Sequence, residues 1–117
     1  WPINPRKKKM AKHKCFPDLN SLPDTPDVAF IAVNRFETIK TVKKLSDMNA
    51  GGAICFASGF SESQAVEHDF SGSNLQVELV QASGEMPIIG PNCYGLINYL
   101  DNISVEEVYN TIKNIVL

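Results

Sequence analysis

Catalytic side chains are what this chain has least of. It carries two histidines in 117 residues. His13 lies in a run of lysines and His68 in a polar stretch, and neither has beside it the acid and nucleophile that a triad needs. No phosphate loop of the P-loop type is present, and the dinucleotide fingerprint G-x-G-x-x-G is missing as well. The three cysteines, Cys15, Cys55 and Cys93, form an odd set without Cys-x-x-Cys spacing. They support neither a zinc site nor a disulfide framework, and they fit a reducing, cytoplasmic setting. No apolar run approaches the ~20 residues that span a bilayer, and the N-terminal stretch lacks the apolar core of a secretory signal.

Acidic residues are also absent from the first fourteen positions, where Arg6, Lys7, Lys8, Lys9, Lys12 and Lys14 stand instead. The overall formal charge of -2 hides this asymmetry, because residues 15–117 set the other five basic groups against all thirteen acids. An acidic body with a basic N-terminal run is ill suited to nucleic acid but can hold a small phosphorylated ligand at one place. With 44% hydrophobic and 21% charged residues the composition is globular, and the length suits one compact domain.

Val28-Ala29-Phe30-Ile31-Ala32-Val33 has no polar alternation, which predicts a strand covered on both faces of a parallel sheet. Asn34 and Glu37 then have the spacing of a helix N-terminus. Phe36, Ile39, Val42, Leu45 and Met48 supply the apolar side of a helix ending near Asn49, with Gly51-Gly52 as its stop. Ala53-Ile54-Cys55-Phe56-Ala57 reads as a second buried strand, completing a right-handed βαβ unit. Residues 63–72 read as a mobile polar loop; Leu75, Leu79 and Ala82, flanked by Val77 and Val80, mark a second helix closed by Gly84. Ile88-Ile89 follows as a third strand. The repetition predicts an α/β fold with a doubly wound, mostly parallel, Rossmann-like sheet. Before it, Leu19 and Leu22 between prolines predict a short helical turn. After it, Ser104-Val105-Glu106-Glu107 has the pattern of a capping box that opens a C-terminal helix.

The stretch from Pro87 to Asn98 organises the rest. A short apolar run bounded by Met86-Pro87 and Gly90-Pro91 is a strand that ends in a rigid turn, with small and polar residues just beyond its carboxyl end. In an open α/β sheet ligands bind there. Ser58-Gly59 and Gly90-Pro91-Asn92 are expected side by side at that edge, where glycine lets backbone amides approach a phosphate or a pantetheine amide and Ser58 and Asn92 supply hydrogen bonds. Asn4-Pro5-Arg6-Lys7 is basic where a nicotinamide-binding domain has an acid for the ribose hydroxyl, which suits a phosphorylated ribose. The alternatives are a frayed basic terminus for Arg6 to Lys9, a plain loop residue for Glu62 and a small packing residue for Cys93.

Ile3-Asn4-Pro5, Pro26-Asp27-Val28-Ala29-Phe30-Ile31-Ala32-Val33, Ser58-Gly59-Phe60-Ser61-Glu62 and Ile89-Gly90-Pro91-Asn92-Cys93-Tyr94-Gly95 occur in this order. Together they resemble the CoA-binding domain of NDP-forming acyl-CoA synthetases, the ADP-forming acetate-CoA ligase type related to the succinyl-CoA synthetase α subunit. The resemblance covers about positions 1–102, leaving 103–117 as a C-terminal helix outside the family pattern. It implies that Lys7 contacts a CoA phosphate, that Phe56, Ala57, Ser58 and Gly59 line the CoA groove, and that Asn92 and Cys93 face the region where a phosphohistidine loop docks.

It further implies that CoA is the cofactor here. ATP or ADP and Mg would enter only through further synthetase domains or a β-type subunit. The family's first strand and glycine-rich loop are expected before Trp1, and its active histidine on another domain, so the chain is expected to be a fragment that is not competent alone. An exposed strand flank in such a fragment predicts a homodimer or poor solubility. The other functional class that fits is a stand-alone CoA- or nucleotide-binding regulatory module, which the helix after Asn102 would close. A nicotinamide-dependent dehydrogenase fits less well, given the basic position after Asn4-Pro5.

Overall fold

The computed structural model describes residues 1–61, 71–100 and 103–104. The chain forms two units, one made of Trp1–Asp24 with Tyr94–Leu117 and the other of Thr25–Cys93.

In the first unit, β1 (Lys9–Met10) and β2 (His13–Lys14) form an antiparallel hairpin. Ala11 takes φ 52°, a positive value that two-residue hairpin loops require and that glycine usually supplies. Beyond the hairpin the Phe16 N–H donates to the Pro2 carbonyl at 2.9 Å, and the Asn4 N–H donates to the Phe16 carbonyl at 2.8 Å. These bonds tie the first residues alongside the hairpin's exit. The expected helical turn is a single 3₁₀ turn at Leu19–Ser21, capped by the Asp18 carboxylate, which accepts from the Ser21 N–H at 2.9 Å. Leu19 is buried and Leu22 half-buried, as their spacing implied.

The second unit is β3 (Ala29–Ile31), α1 (Arg35–Asp47), β4 (Ala53–Cys55), α2 (Ser71–Ser83) and β5 (Ile88–Ile89). The strands lie parallel in the order β3-β4-β5. This is the expected α/β, Rossmann-like arrangement. Ala53, Ile54 and Cys55 of the central strand are buried, and Ile31, Val42, Leu45 and Leu79 pack the core around them. The two helices pack on each other; the Ser46 hydroxyl donates to the Ser83 carbonyl at 2.8 Å where their carboxyl ends meet.

Several expectations change in detail. β3 pairs with a neighbour on one side only, over three residues, and Val28 just before it is 58% exposed rather than covered. Phe36 is exposed; the inner face of α1 is Thr38, Val42 and Leu45 instead. Thr38 is buried at no polar cost because its hydroxyl lies within hydrogen-bond reach of the Asn34 carbonyl at 3.0 Å and the Val33 carbonyl at 3.3 Å. The helix stops not at the glycines but at Asn49, with φ 58°. There the Ala50 N–H bonds to the Leu45 carbonyl and the Asn49 N–H to the Ser46 carbonyl, the two bonds of a Schellman motif. Gly51 has a different reason to be glycine, since a Cβ there would lie 2.3 Å from the Asp27 carbonyl oxygen.

α2 begins at Ser71, so the expected loop over 63–72 ends inside a helix, and its remainder lies outside the described residues. In the first unit β6 (Ile97–Asn98) pairs antiparallel with β7 (Ile103–Ser104), which brings the chain on either side of Asn102 into one ladder. The helix expected from Val105 onward lies outside the described residues, as do Glu62 and His68.

Candidate functional site

In the second unit all three strands end at the same edge, and the turns that leave β4 and β5 are fastened to each other there. The Asn92 N–H donates to the Ala57 carbonyl at 2.9 Å, and the Cys93 N–H donates to the Cys55 carbonyl at 3.2 Å. This closeness depends on Gly90. Its φ is 101°, and a Cβ would meet the Cys55 carbonyl oxygen at 2.5 Å. Asn92 follows with φ 57°, a left-handed value that asparagine tolerates better than most residues.

The result is a rim on which Ser58 and Asn92 are exposed, Phe56 and Gly59 half-buried, and Ala57 buried. Phe56 is held from behind by Phe30, with ring centroids 6.2 Å apart. Five of the six residues expected at the site, Phe56, Ala57, Ser58, Gly59 and Asn92, therefore share one edge. Lys7 belongs to the first unit, where it is exposed and follows an Asx turn: the Arg6 and Lys7 N–H groups donate to Asn4 Oδ1 at 2.9 and 3.0 Å.

One rim residue escaped the sequence reading. Arg35, the first residue of α1, donates from Nη1 to the Gly59 carbonyl at 2.7 Å and lies over the Phe36 ring, 5.2 Å from its centroid. Gly59 has φ 89°, and a Cβ on it would meet that Nη1 at 2.7 Å. The guanidinium thus clamps the Ser58-Gly59 turn from the neighbouring strand's exit. The available signal was its position directly after the carboxyl end of β3, the same edge.

The electrostatics of the rim are quiet. Burial pushes the Cys55 thiol up to about 11, with a smaller contribution from Cys93 nearby, so Cys55 stays protonated at neutral pH. It is a core residue and no nucleophile. Cys93 is half-buried behind the turn, where a small packing residue was one of the expected alternatives. Among the described residues no cluster of histidine, cysteine or acid could hold a metal ion. His13, on β2, is exposed.

A family model described as a CoA binding domain matches residues 1–99. The chain belongs to this CoA-binding family. Its relatives include a trans-feruloyl-CoA synthase from an unknown prokaryotic organism, 31% identical over 110 residues, or 92% of this chain and 15% of the relative. An ADP-forming acetate–CoA ligase of Archaeoglobus fulgidus is 28% identical over 100 residues, which is 84% of this chain and 14% of that protein. Among solved structures, the apo form of a dinucleotide forming acetyl-coenzyme A synthetase from Ca. Korarchaeum cryptofilum superimposes with a TM-score of 0.69 at 29% identity, over 80% of this chain and 19% of that one. A Pyrococcus horikoshii protein superimposes with a TM-score of 0.75 at 26% identity, over 88% of this chain and 23% of its own. This CoA-binding domain chain therefore spans about a seventh of the relatives' length, 15% and 14% in the two cases. Among the described residues no helix is long and apolar enough to cross a membrane.

Proposed function

We propose that this chain supplies the CoA-holding part of an ADP-forming acid–CoA ligase and does not turn over by itself. The observation that carries the reading is the pair of backbone bonds from Asn92 and Cys93 to Ala57 and Cys55, which fastens the Gly90-Pro91-Asn92 turn beside Ser58-Gly59. Such a rim offers closely approachable backbone and two exposed polar side chains, the requirements of a pantetheine chain with its two amides.

In this reading Ser58 and Asn92 hydrogen-bond the pantetheine arm. Phe56 and Ala57 form its apolar wall, Gly59 allows close backbone approach, and Lys7 takes a phosphate of the nucleotide. Residues 1–102 form the CoA-binding module, and residues 103–117 are an addition to it. The carboxylic acid, the nucleoside triphosphate and its Mg are handled by further synthetase domains or a β-type subunit in the cytoplasm. Edge strand β3 also suits pairing with a second copy of the chain, which light scattering on the purified protein would report.

Titration calorimetry with CoA tests the assignment. Ser58→Ala and Asn92→Gly, the latter keeping the positive φ available, are each expected to weaken CoA about fivefold, one neutral hydrogen bond's worth. A folded chain that gives no saturable heat with CoA would refute the reading.

A further inference from the structure

The basic run is more than a charged tail, because the hairpin arranges it. Lys9 and Lys14 are directly opposed across the β1–β2 ladder. The Cys15 N–H donates to the Lys8 carbonyl at 3.0 Å, so the preceding pair, Lys9 and Lys14, is a non-hydrogen-bonded one, in which opposed side chains stand closest. Opposed residues project from the same face, with Cβ atoms about 4.5–5.5 Å apart, and like charges so placed repel. The neighbouring Met10 turns to the other side and is 3% exposed, which leaves the Lys9–Lys14 face outward. Lys14 Nζ lies 5.7 Å from the Phe16 ring centroid. Among the described residues, the ion pairs are Lys40 with Glu37 and Lys43 with Asp47, so neither hairpin lysine is neutralised by an acid of this kind.

Two ammonium groups held on one face without an acid form a site for a doubly charged anion. We propose that Lys9 and Lys14 together hold the 3′-phosphate of the CoA ribose, so that the hairpin selects CoA over its dephospho form. The inference rests on the CoA reading above and adds the group that the hairpin recognises. A phosphate monoester carries about −1.5 to −2 charges at neutral pH and three acceptor oxygens. Each phosphorus of the diphosphate bridge carries one charge, so the monoester is the better match for a lysine pair. Two charge-assisted hydrogen bonds in place of a like-charge contact also relieve the repulsion built into the ladder.

The test is calorimetry of the full 117-residue chain against CoA and against 3′-dephospho-CoA, with the Lys9→Gln/Lys14→Gln double variant beside it. A Lys8→Gln/Lys12→Gln variant removes the same charge from residues that are not opposed. The wild type is expected to prefer CoA by about tenfold or more, the Lys9/Lys14 variant to lose that preference with dephospho-CoA binding within about twofold of wild type, and the Lys8/Lys12 variant to keep it. Circular dichroism establishes that both variants are folded. The proposal is overturned if the wild type binds the two ligands equally, if the Lys9/Lys14 variant retains the preference, or if both double variants weaken both ligands alike. Binding of neither ligand by the wild type would instead remove the CoA reading itself, and this proposal with it.

Discussion

Replacing Gly90 with alanine should be the most damaging single methyl addition in the second unit. The methyl carbon would lie 2.5 Å from the Cys55 carbonyl oxygen and 3.1 Å from Cys93 Cβ, at a φ of 101°. A non-glycine residue held in such a conformation costs on the order of 1–3 kcal/mol. The clash is with backbone of the central strand, which cannot rotate away, so the turn must move outward. That movement breaks the Cys93 N–H to Cys55 and Asn92 N–H to Ala57 bonds, each worth about 1 kcal/mol.

The expected total is about 3–5 kcal/mol, a large share of a domain's usual 5–15 kcal/mol. Urea unfolding followed by far-UV circular dichroism reads it as a lower midpoint at constant slope, because α1 and α2 both belong to this unit. Gly84→Ala is the internal control. Its φ is 57°, and its Cβ would meet only the Ser46 hydroxyl, at 3.3 Å, so about 1–2 kcal/mol is expected there. If Gly90→Ala costs no more than Gly84→Ala, the close approach of the two strand exits is not what holds the rim.

Asn34→Ala removes the side chain that accepts from the Phe36 and Glu37 N–H groups at 3.1 and 3.0 Å, and should destabilise the unit by about 1 kcal/mol, with faster amide exchange in the first turn of α1. Ala11→Gly should act in the opposite direction, raising the stability of the hairpin by about 1 kcal/mol in thermal melts, because it relieves the positive φ of 52°. Cys55 gives a pH dependence. Its thiol is held at about 11 in the fold against the ordinary 9.0, so the folded chain binds more protons than the unfolded one between these values. Stability from this group is therefore unaffected below about 9 and falls as pH rises toward 11; Cys55→Ala should flatten urea midpoints measured across that range. In native protein at neutral pH, iodoacetamide should label Cys93 before Cys55 or Cys15, both buried, and equal labelling in mass spectra would contradict the placement.

Much of the fold was legible because its signals are local. An unalternating apolar run, an asparagine three residues before a glutamate and a glycine after an amphipathic stretch act through a residue's own backbone and near neighbours. β4, α1's first turn, the end of α2 and β5 accordingly stand where the sequence placed them. Phe36 misled because the face a helix buries depends on what packs against it. In this structure Arg35 occupies the Phe36 ring while Thr38 goes inside. The C-terminal helix rests on a pattern whose residues lie beyond those described.

The chain's order of turns and strands by itself determined that Ser58-Gly59 and Gly90-Pro91-Asn92 emerge at one edge, since successive parallel strands with helical crossovers must all end at the same side. Only tertiary structure decided how close they come. The 2.5 Å that would separate a Gly90 Cβ from the Cys55 carbonyl, the Arg35 clamp on Gly59 and the opposition of Lys9 to Lys14 are distances between segments far apart in sequence or across a turn. Such distances are set by register and packing, and no residue pattern along the chain encodes them one position at a time.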